Sequence, residues 1–139
     1  MSALHPVIAI TGSSGAGTTS VTKTFENIFR REGVAAAIVE GDSFHRYDRE
    51  AMKAAMAEAE QNHRPHFSHF GEDANLFAEL QELFRSYAET GTGQSRKYLH
   101  NDEEAAPYGQ PPGTFTAWAP LPPSSLLFYE GLHLSLIHI

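Results

Sequence analysis

Three clusters of residues in this 139-residue chain have the types and spacing to do chemistry. The first is Gly12-Ser13-Ser14-Gly15-Ala16-Gly17-Thr18-Thr19, which follows the apolar run Val7-Ile8-Ala9-Ile10 and precedes a helical pattern. Glycines at 12, 15 and 17 let the backbone curl so that successive N–H groups converge on phosphate oxygens. The positive end of the following helix adds to that field. The frame fits the phosphate-loop pattern GxxxxGK followed by Ser or Thr at every specified place except the lysine, where Thr18 stands. Thr19 occupies the place whose hydroxyl ordinarily ligates the magnesium of a nucleoside triphosphate. The missing positive charge on the β- and γ-phosphates has to come from elsewhere.

Other glycine-rich motifs fail on the same residues. A dinucleotide fingerprint GxGxxG needs glycine where Ser14 stands, and a GxSxG nucleophile elbow centred on Ser14 needs glycine where Ala16 stands. The plainer alternative, a Gly/Ser turn, is weakened by the strand pattern before it and the helix pattern after it.

The second cluster is Asp42-Ser43-Phe44-His45-Arg46-Tyr47-Asp48-Arg49. It follows a continuous apolar run over residues 34–39 that suits a buried parallel strand, with an abrupt change of polarity at Glu40-Gly41-Asp42. Ligands of open α/β sheets collect at the carboxyl ends of strands, so Asp42 is predicted to face the same crevice as the glycine loop. There Arg49 can hold a phosphate bidentately, His45 can donate to it, and Asp42 can take a proton from an attacking hydroxyl. A solvated loop with incidental ion pairs is the alternative. The third cluster is Glu130, which ends the apolar run Leu126-Leu127-Phe128-Tyr129 and stands where phosphate-loop enzymes keep a magnesium-side acid; a strand-end capping role is its alternative. His63, His66 and His69 are not read as a metal site, because Pro65 prevents a common helical face and no carboxylate is interleaved.

The elements that must position these residues are read from periodicity. Residues 19–32 carry Val21, Phe25, Ile28 and Phe29 on one helical face, with Arg30 and Arg31 in the last turn and Gly33 as the stop. Residues 48–60 form a helix with a weakly apolar face of Met52, Ala55, Met56 and Ala59, predicted to cover one side of the site. Residues 72–88 are the clearest amphipathic helix, through Leu76, Leu80, Leu83, Phe84 and Tyr87, and residues 90–93 end it. Residues 96–100 carry the densest positive charge and 101–104 an acidic turn. Residues 105–125 hold six of the eight prolines and are expected to form an irregular loop pinned by Phe115 and Trp118.

Composition bounds the rest. At 41% hydrophobic residues the length suits one core, although α/β kinases built on a phosphate loop need about five strands at roughly 30 residues per βαβ unit, and this chain is short for that. A net charge of −7 with no basic run longer than two residues speaks against a nucleic-acid groove. Without cysteine there are no disulfides and no thiolate sites. No apolar stretch is long enough for a membrane span and no signal-peptide pattern opens the chain, so a soluble, cytoplasmic protein is expected.

The glycine loop, Glu40-Gly41-Asp42 with Phe44-His45-Arg46 and Arg49, Phe67-Ser68-His69-Phe70, and Leu127-Phe128-Tyr129-Glu130-Gly131-Leu132-His133 occur in an order that closely resembles bacterial phosphoribulokinases, from about residue 5 to residue 133. That family also carries Thr at the lysine place. The resemblance implies an α/β, P-loop NTPase-like three-layer fold with a mainly parallel sheet. Residues 1–133 would be an incomplete N-terminal portion of the kinase domain, and 134–139 a tail unrelated to the family. It further implies transfer of the ATP γ-phosphoryl group to the C1 hydroxyl of D-ribulose 5-phosphate in the Calvin cycle, by an enzyme that is a homo-oligomer. Residues Gly12, Ser13, Ser14, Gly15, Ala16, Gly17, Thr18 and Thr19 would then bind ATP, and Asp42 would be the general base. His45 and Arg49 would hold the sugar phosphate, and Thr19 with Glu130 would serve Mg2+. The family is roughly twice as long, and its downstream half supplies the compensating lysine, a further acid and arginines, so the chain alone is expected to be nearly inactive. A uridine-kinase-like nucleoside kinase is the enzyme alternative; it would be expected to keep the lysine and would not need His45 and Arg49. A non-catalytic nucleotide-binding fragment is the other.

Overall fold

The computed structural model describes residues 4–11, 18–62 and 74–131, and of Thr18 and Thr19 the backbone alone. Its centre is a three-stranded parallel sheet in the order β1 (Val7–Thr11), β7 (Leu126–Gly131), β2 (Ala36–Glu40). The strand latest in sequence lies in the middle, and its Leu127, Phe128 and Tyr129 are fully buried because both faces are covered. That is why this run has no polar alternation.

Successive side chains of β7 point to opposite faces. On one face Phe25 and Phe29 of α1 (Thr18–Arg31) meet Phe128, with ring centroids 5.2 and 5.7 Å away. On the other, Leu80, Leu83, Phe84 and Tyr87 of α3 (Phe77–Thr90) form the core with Ala37, Val39, Leu127 and Tyr129. The Phe84 and Tyr129 rings meet edge to face at 5.2 Å. The layers are therefore helix, sheet, helix, as expected for this fold class. Helix α2 (Arg49–Gln61) follows the turn after β2, and Asp48 caps it by accepting from the Ala51 N–H at 2.9 Å.

Four details depart from the sequence reading. Val21 was placed on the apolar face of α1 but is 38% exposed; the buried side runs through Thr22 and Phe29. Strand β2 is not buried on both faces: Ile38 is 36% exposed, since β2 is an edge strand and α1 centres on the neighbouring Phe128. Helix α3 does not include residues 74–76, whose backbone is spent elsewhere: Ala74 accepts from the Arg46 N–H, the Leu76 N–H reaches the Phe44 carbonyl, and Asn75 bridges His45. Leu76 still packs against the core from outside the helix.

The fourth concerns residues 105–125, which are half of an ordered arm rather than an irregular loop. Strand β3 (Gln94–Ser95) pairs antiparallel with β6 (Ala119–Pro120), and β4 (Tyr98–Leu99) pairs with β5 (Thr114–Phe115). The break between the two ladders is bridged by the Thr116 N–H donating to the Lys97 carbonyl and the Lys97 N–H donating to Thr116 Oγ1. At the tip lie α4 (Asp102–Ala105), capped by the Asn101 side chain, and a 3-10 turn, Ala106–Tyr108. Prolines sit at edges, where no ladder donor is lost. Trp118 does pin the arm, meeting Phe44 edge to face at 5.5 Å.

Candidate active site

Parallel pairing fixes where the chemistry can happen. Register partners Ile10, Glu130 and Glu40 stand side by side across the sheet, and Thr11 stands beside Gly131. All three strands thus end at one edge, from which the residues after Thr11 and the 3-10 turn Gly41–Phe44 both depart. Close approach at that edge needs glycine: a Cβ on Gly41 would lie 2.7 Å from Tyr129 Oη, and one on Gly131 would stand against it. The Tyr129 hydroxyl is buried without a hydrogen-bond partner among the described residues. Its pKa is raised, first by burial and then by the charges of Glu130 and Asp42.

Asp42, half exposed in the 3-10 turn, is flanked by two imidazoles. His100 Nε2 lies 3.0 Å from its Oδ2 and His45 Nε2 lies 3.8 Å from its Oδ1. His100 is held from the other side by Glu104, with Nδ1 to Oε2 at 3.2 Å. Burial opposes the charged imidazole, but the hydrogen bonds to Asp42 and Glu104 and their negative charge outweigh it and raise the His100 pKa. Glu40 reaches solvent, yet its carboxyl lies low in the same crowded edge. Burial raises its pKa; His100 opposes this, while Asp42, Glu104 and Glu130 reinforce it.

A cavity of about 800 Å3 opens beside Asp42, and His45, Arg49, Lys53 and Tyr98 share its wall. Helical spacing explains two of these: Lys53 lies one turn beyond Arg49, and both follow the capping Asp48. Arg49 is aimed by its Nη2 donating to the His100 carbonyl at 2.8 Å, and its backbone N–H donates to the Gly113 carbonyl at 2.9 Å. The arm therefore closes over the start of α2. Arg49 and Lys53 beside the apolar Met52 and Met56 can take a small anion, and Asp42, which lines the same wall with Asp48 and Glu60, can accept a proton.

Comparison with known proteins decides the family. The family described as phosphoribulokinase / uridine kinase matches residues 7–137. The chain belongs to that family. It is 72% identical to the chromosomal phosphoribulokinase of Cupriavidus necator over 134 residues, covering 96% of this chain and 46% of that protein. It is 65% identical to the phosphoribulokinase of Nitrobacter vulgaris over 130 residues, 93% of this chain and 45% of that one. The solved phosphoribulokinase from Rhodobacter spheroides superposes with a TM-score of 0.81 at 47% identity, covering 94% of this chain and 44% of that chain. The chain spans a little under half the length of these relatives.

Within this phosphoribulokinase / uridine kinase family member, the structure brings together Asp42, His45 and Arg49 as the sequence suggested. It puts Glu130 at the strand end, in register with Glu40. Residues 12–17, and the tail at 134–139, lie outside the described residues, as do the side chains of Thr18 and Thr19. Among the described residues no cluster of three or more His, Asp or Glu side chains is arranged to hold a metal. A strand-end carboxylate such as Glu130 suits Mg2+, which keeps several waters and takes phosphate oxygens as ligands. Sequence reasoning missed Lys53, Tyr98, His100 and Glu104. A signal existed for Lys53, four residues after Arg49 on a helix expected to cover the site; for His100 there was only the basic block at 96–100.

Proposed function

We propose that this chain is the part of a phosphoribulokinase that binds ATP and the acceptor, and that the whole enzyme phosphorylates D-ribulose 5-phosphate at its C1 hydroxyl. One observation carries this reading: Asp42, His45 and the cations Arg49 and Lys53 line one cavity beside the carboxyl ends of the parallel strands, where β1 ends at Thr11. The names of relatives at 72% and 65% identity support the same acceptor.

Phosphoryl transfer depends on in-line placement and charge neutralisation more than on covalent help. His45, Arg49 and Lys53 hold the 5-phosphate and so place the far end of the sugar at Asp42. Asp42 accepts the hydroxyl proton as that oxygen bonds to the γ-phosphorus, and the bond to the β–γ bridging oxygen breaks to release ADP. His100 keeps the Asp42 carboxylate oriented. By their sequence pattern Gly12, Ser13, Ser14, Gly15, Ala16 and Gly17, with Thr18, would bind the triphosphate, and Thr19 with Glu130 would hold Mg2+, which neutralises phosphate charge. Among the described residues no helix is long and apolar enough to cross a membrane. A cytoplasmic location is part of the proposal.

The family name leaves room for a nucleoside acceptor, but a nucleoside gives the Arg49 and Lys53 cations of the acceptor cavity no phosphate to bind. Initial rates of ADP release by a full-length kinase carrying this chain, with ribulose 5-phosphate or uridine as acceptor, test the proposal. Faster turnover of uridine overturns it.

A further inference from the structure

We infer that Arg96 is a positioning residue for the acceptor site, clamping the turn that carries Asp42 and His45 to the antiparallel arm. The inference rests on the acceptor-site reading above. Arg96 sits in the break between β3 and β4 and reaches back more than fifty residues: its Nε donates to the Ser43 carbonyl at 2.8 Å and its Nη2 to the His45 carbonyl at 2.5 Å. A short 3-10 turn leaves its last carbonyls without donors of its own. The Glu40 and Asp42 carbonyls are served within the turn, by Ser43 Oγ and by the His45 N–H, and the Phe44 carbonyl by the distant Leu76 N–H. Those of Ser43 and His45 fall to Arg96.

The faces of the guanidinium are used as well. Its carbon lies 3.6 Å from the Phe115 ring centroid and 4.7 Å from that of Trp118, and Trp118 itself meets Phe44 within the turn. Among the described residues no carboxylate lies within ion-pair distance of Arg96. A half-buried cation spent on two carbonyls and two rings holds geometry: the fork fixes the turn edge-on while the rings fix the fork. The same arm delivers His100 to Asp42, so the clamp sets both partners of that pair at once. Lysine cannot replace it, since an ammonium is a point charge with neither a planar fork nor a stacking face.

The test uses a full-length kinase carrying this chain, as wild type, Arg96→Ala and Arg96→Lys. Displacement of the reacting groups by about 1 Å can cost up to a hundredfold in rate. Both variants are expected to lose about tenfold or more in kcat and to raise the KM for ribulose 5-phosphate, while the ATP dissociation constant stays within about twofold. Arg96→Lys should melt within a few degrees of wild type. Wild-type rates in Arg96→Lys, an equal loss of ATP affinity, or unfolding of both variants would assign Arg96 to general stability and overturn the inference. A wild-type enzyme without ribulose 5-phosphate activity would instead overturn the kinase reading, and this role with it.

Discussion

Asp42 Oδ2 and His100 Nε2 lie 3.0 Å apart although 58 residues separate them in the chain. The turn after a parallel strand supplies one group and the antiparallel arm supplies the other, so the site depends on how these two substructures dock. With Glu104 on its far nitrogen, His100 is sandwiched between carboxylates and cannot rotate without losing both.

Removal of the proton acceptor should separate chemistry from binding. In a full-length kinase carrying this chain, Asp42→Asn is expected to lower kcat by about 10²- to 10⁴-fold, the span of general acid–base contributions, with ATP affinity little changed. Pre-steady-state rates with an ATP titration check it. A near-normal kcat would remove Asp42 from that role.

Acceptor affinity should depend on the cations of the cavity. A hydrogen bond to a charged group contributes about 1.5–3 kcal/mol, so Arg49→Ala and Lys53→Ala should each raise the KM for ribulose 5-phosphate by roughly 10- to 100-fold. The KM for ATP should stay put. Equal increases for both substrates would mean that the cavity does not hold the sugar phosphate.

The raised pKa of His100 makes a prediction about stability with a definite sign. Because the folded state binds this proton more tightly than the unfolded state, the stabilisation is fully present below the ordinary imidazole pKa. It is lost as pH rises through the elevated folded value. The melting temperature of wild type minus that of His100→Gln should therefore shrink as pH rises from below the ordinary imidazole pKa, about 6.5, through the elevated folded value. A difference that is flat or grows with pH would show that His100 is not held as a cation.

Gly131 should tolerate no side chain. Its Cβ would stand against Tyr129 Oη and 2.7 Å from Tyr129 Cζ, with the ring fully buried between the sheet and α3, where it packs edge to face on Phe84. Gly131→Ala is expected to destabilise by at least about 1–3 kcal/mol, the usual penalty for overpacking, read from the denaturant midpoint. Tyr129→Phe, which deletes a buried hydroxyl without a partner among the described residues, should leave stability unchanged or slightly higher. A large loss in Tyr129→Phe would mean that the hydroxyl has a partner after all.

Local pattern carried the reading wherever neighbours in sequence are neighbours in space. Val7 to Ile10 and Leu126 to Tyr129 announce strands because successive side chains of a doubly covered strand are all apolar. Asp42, His45 and Arg49 could be grouped because they lie within eight residues at the end of one strand. Helix α3 was visible in its leucines, though its start was not, since residues 74–76 pair with the exit from the Asp42 turn.

By itself, then, the amino-acid sequence determined the order of the main strands and helices and the apolar side of most of them, set by backbone geometry over a few residues. Tertiary structure alone decided that β7 lies between β1 and β2, that the proline-rich segment folds back as an arm, and that this arm brings Arg96 and His100 to the Asp42 turn. It also left Val21 and Ile38 exposed. Which segments meet depends on how the core closes, and a helix or strand period says which side of an element is apolar but not what will cover it.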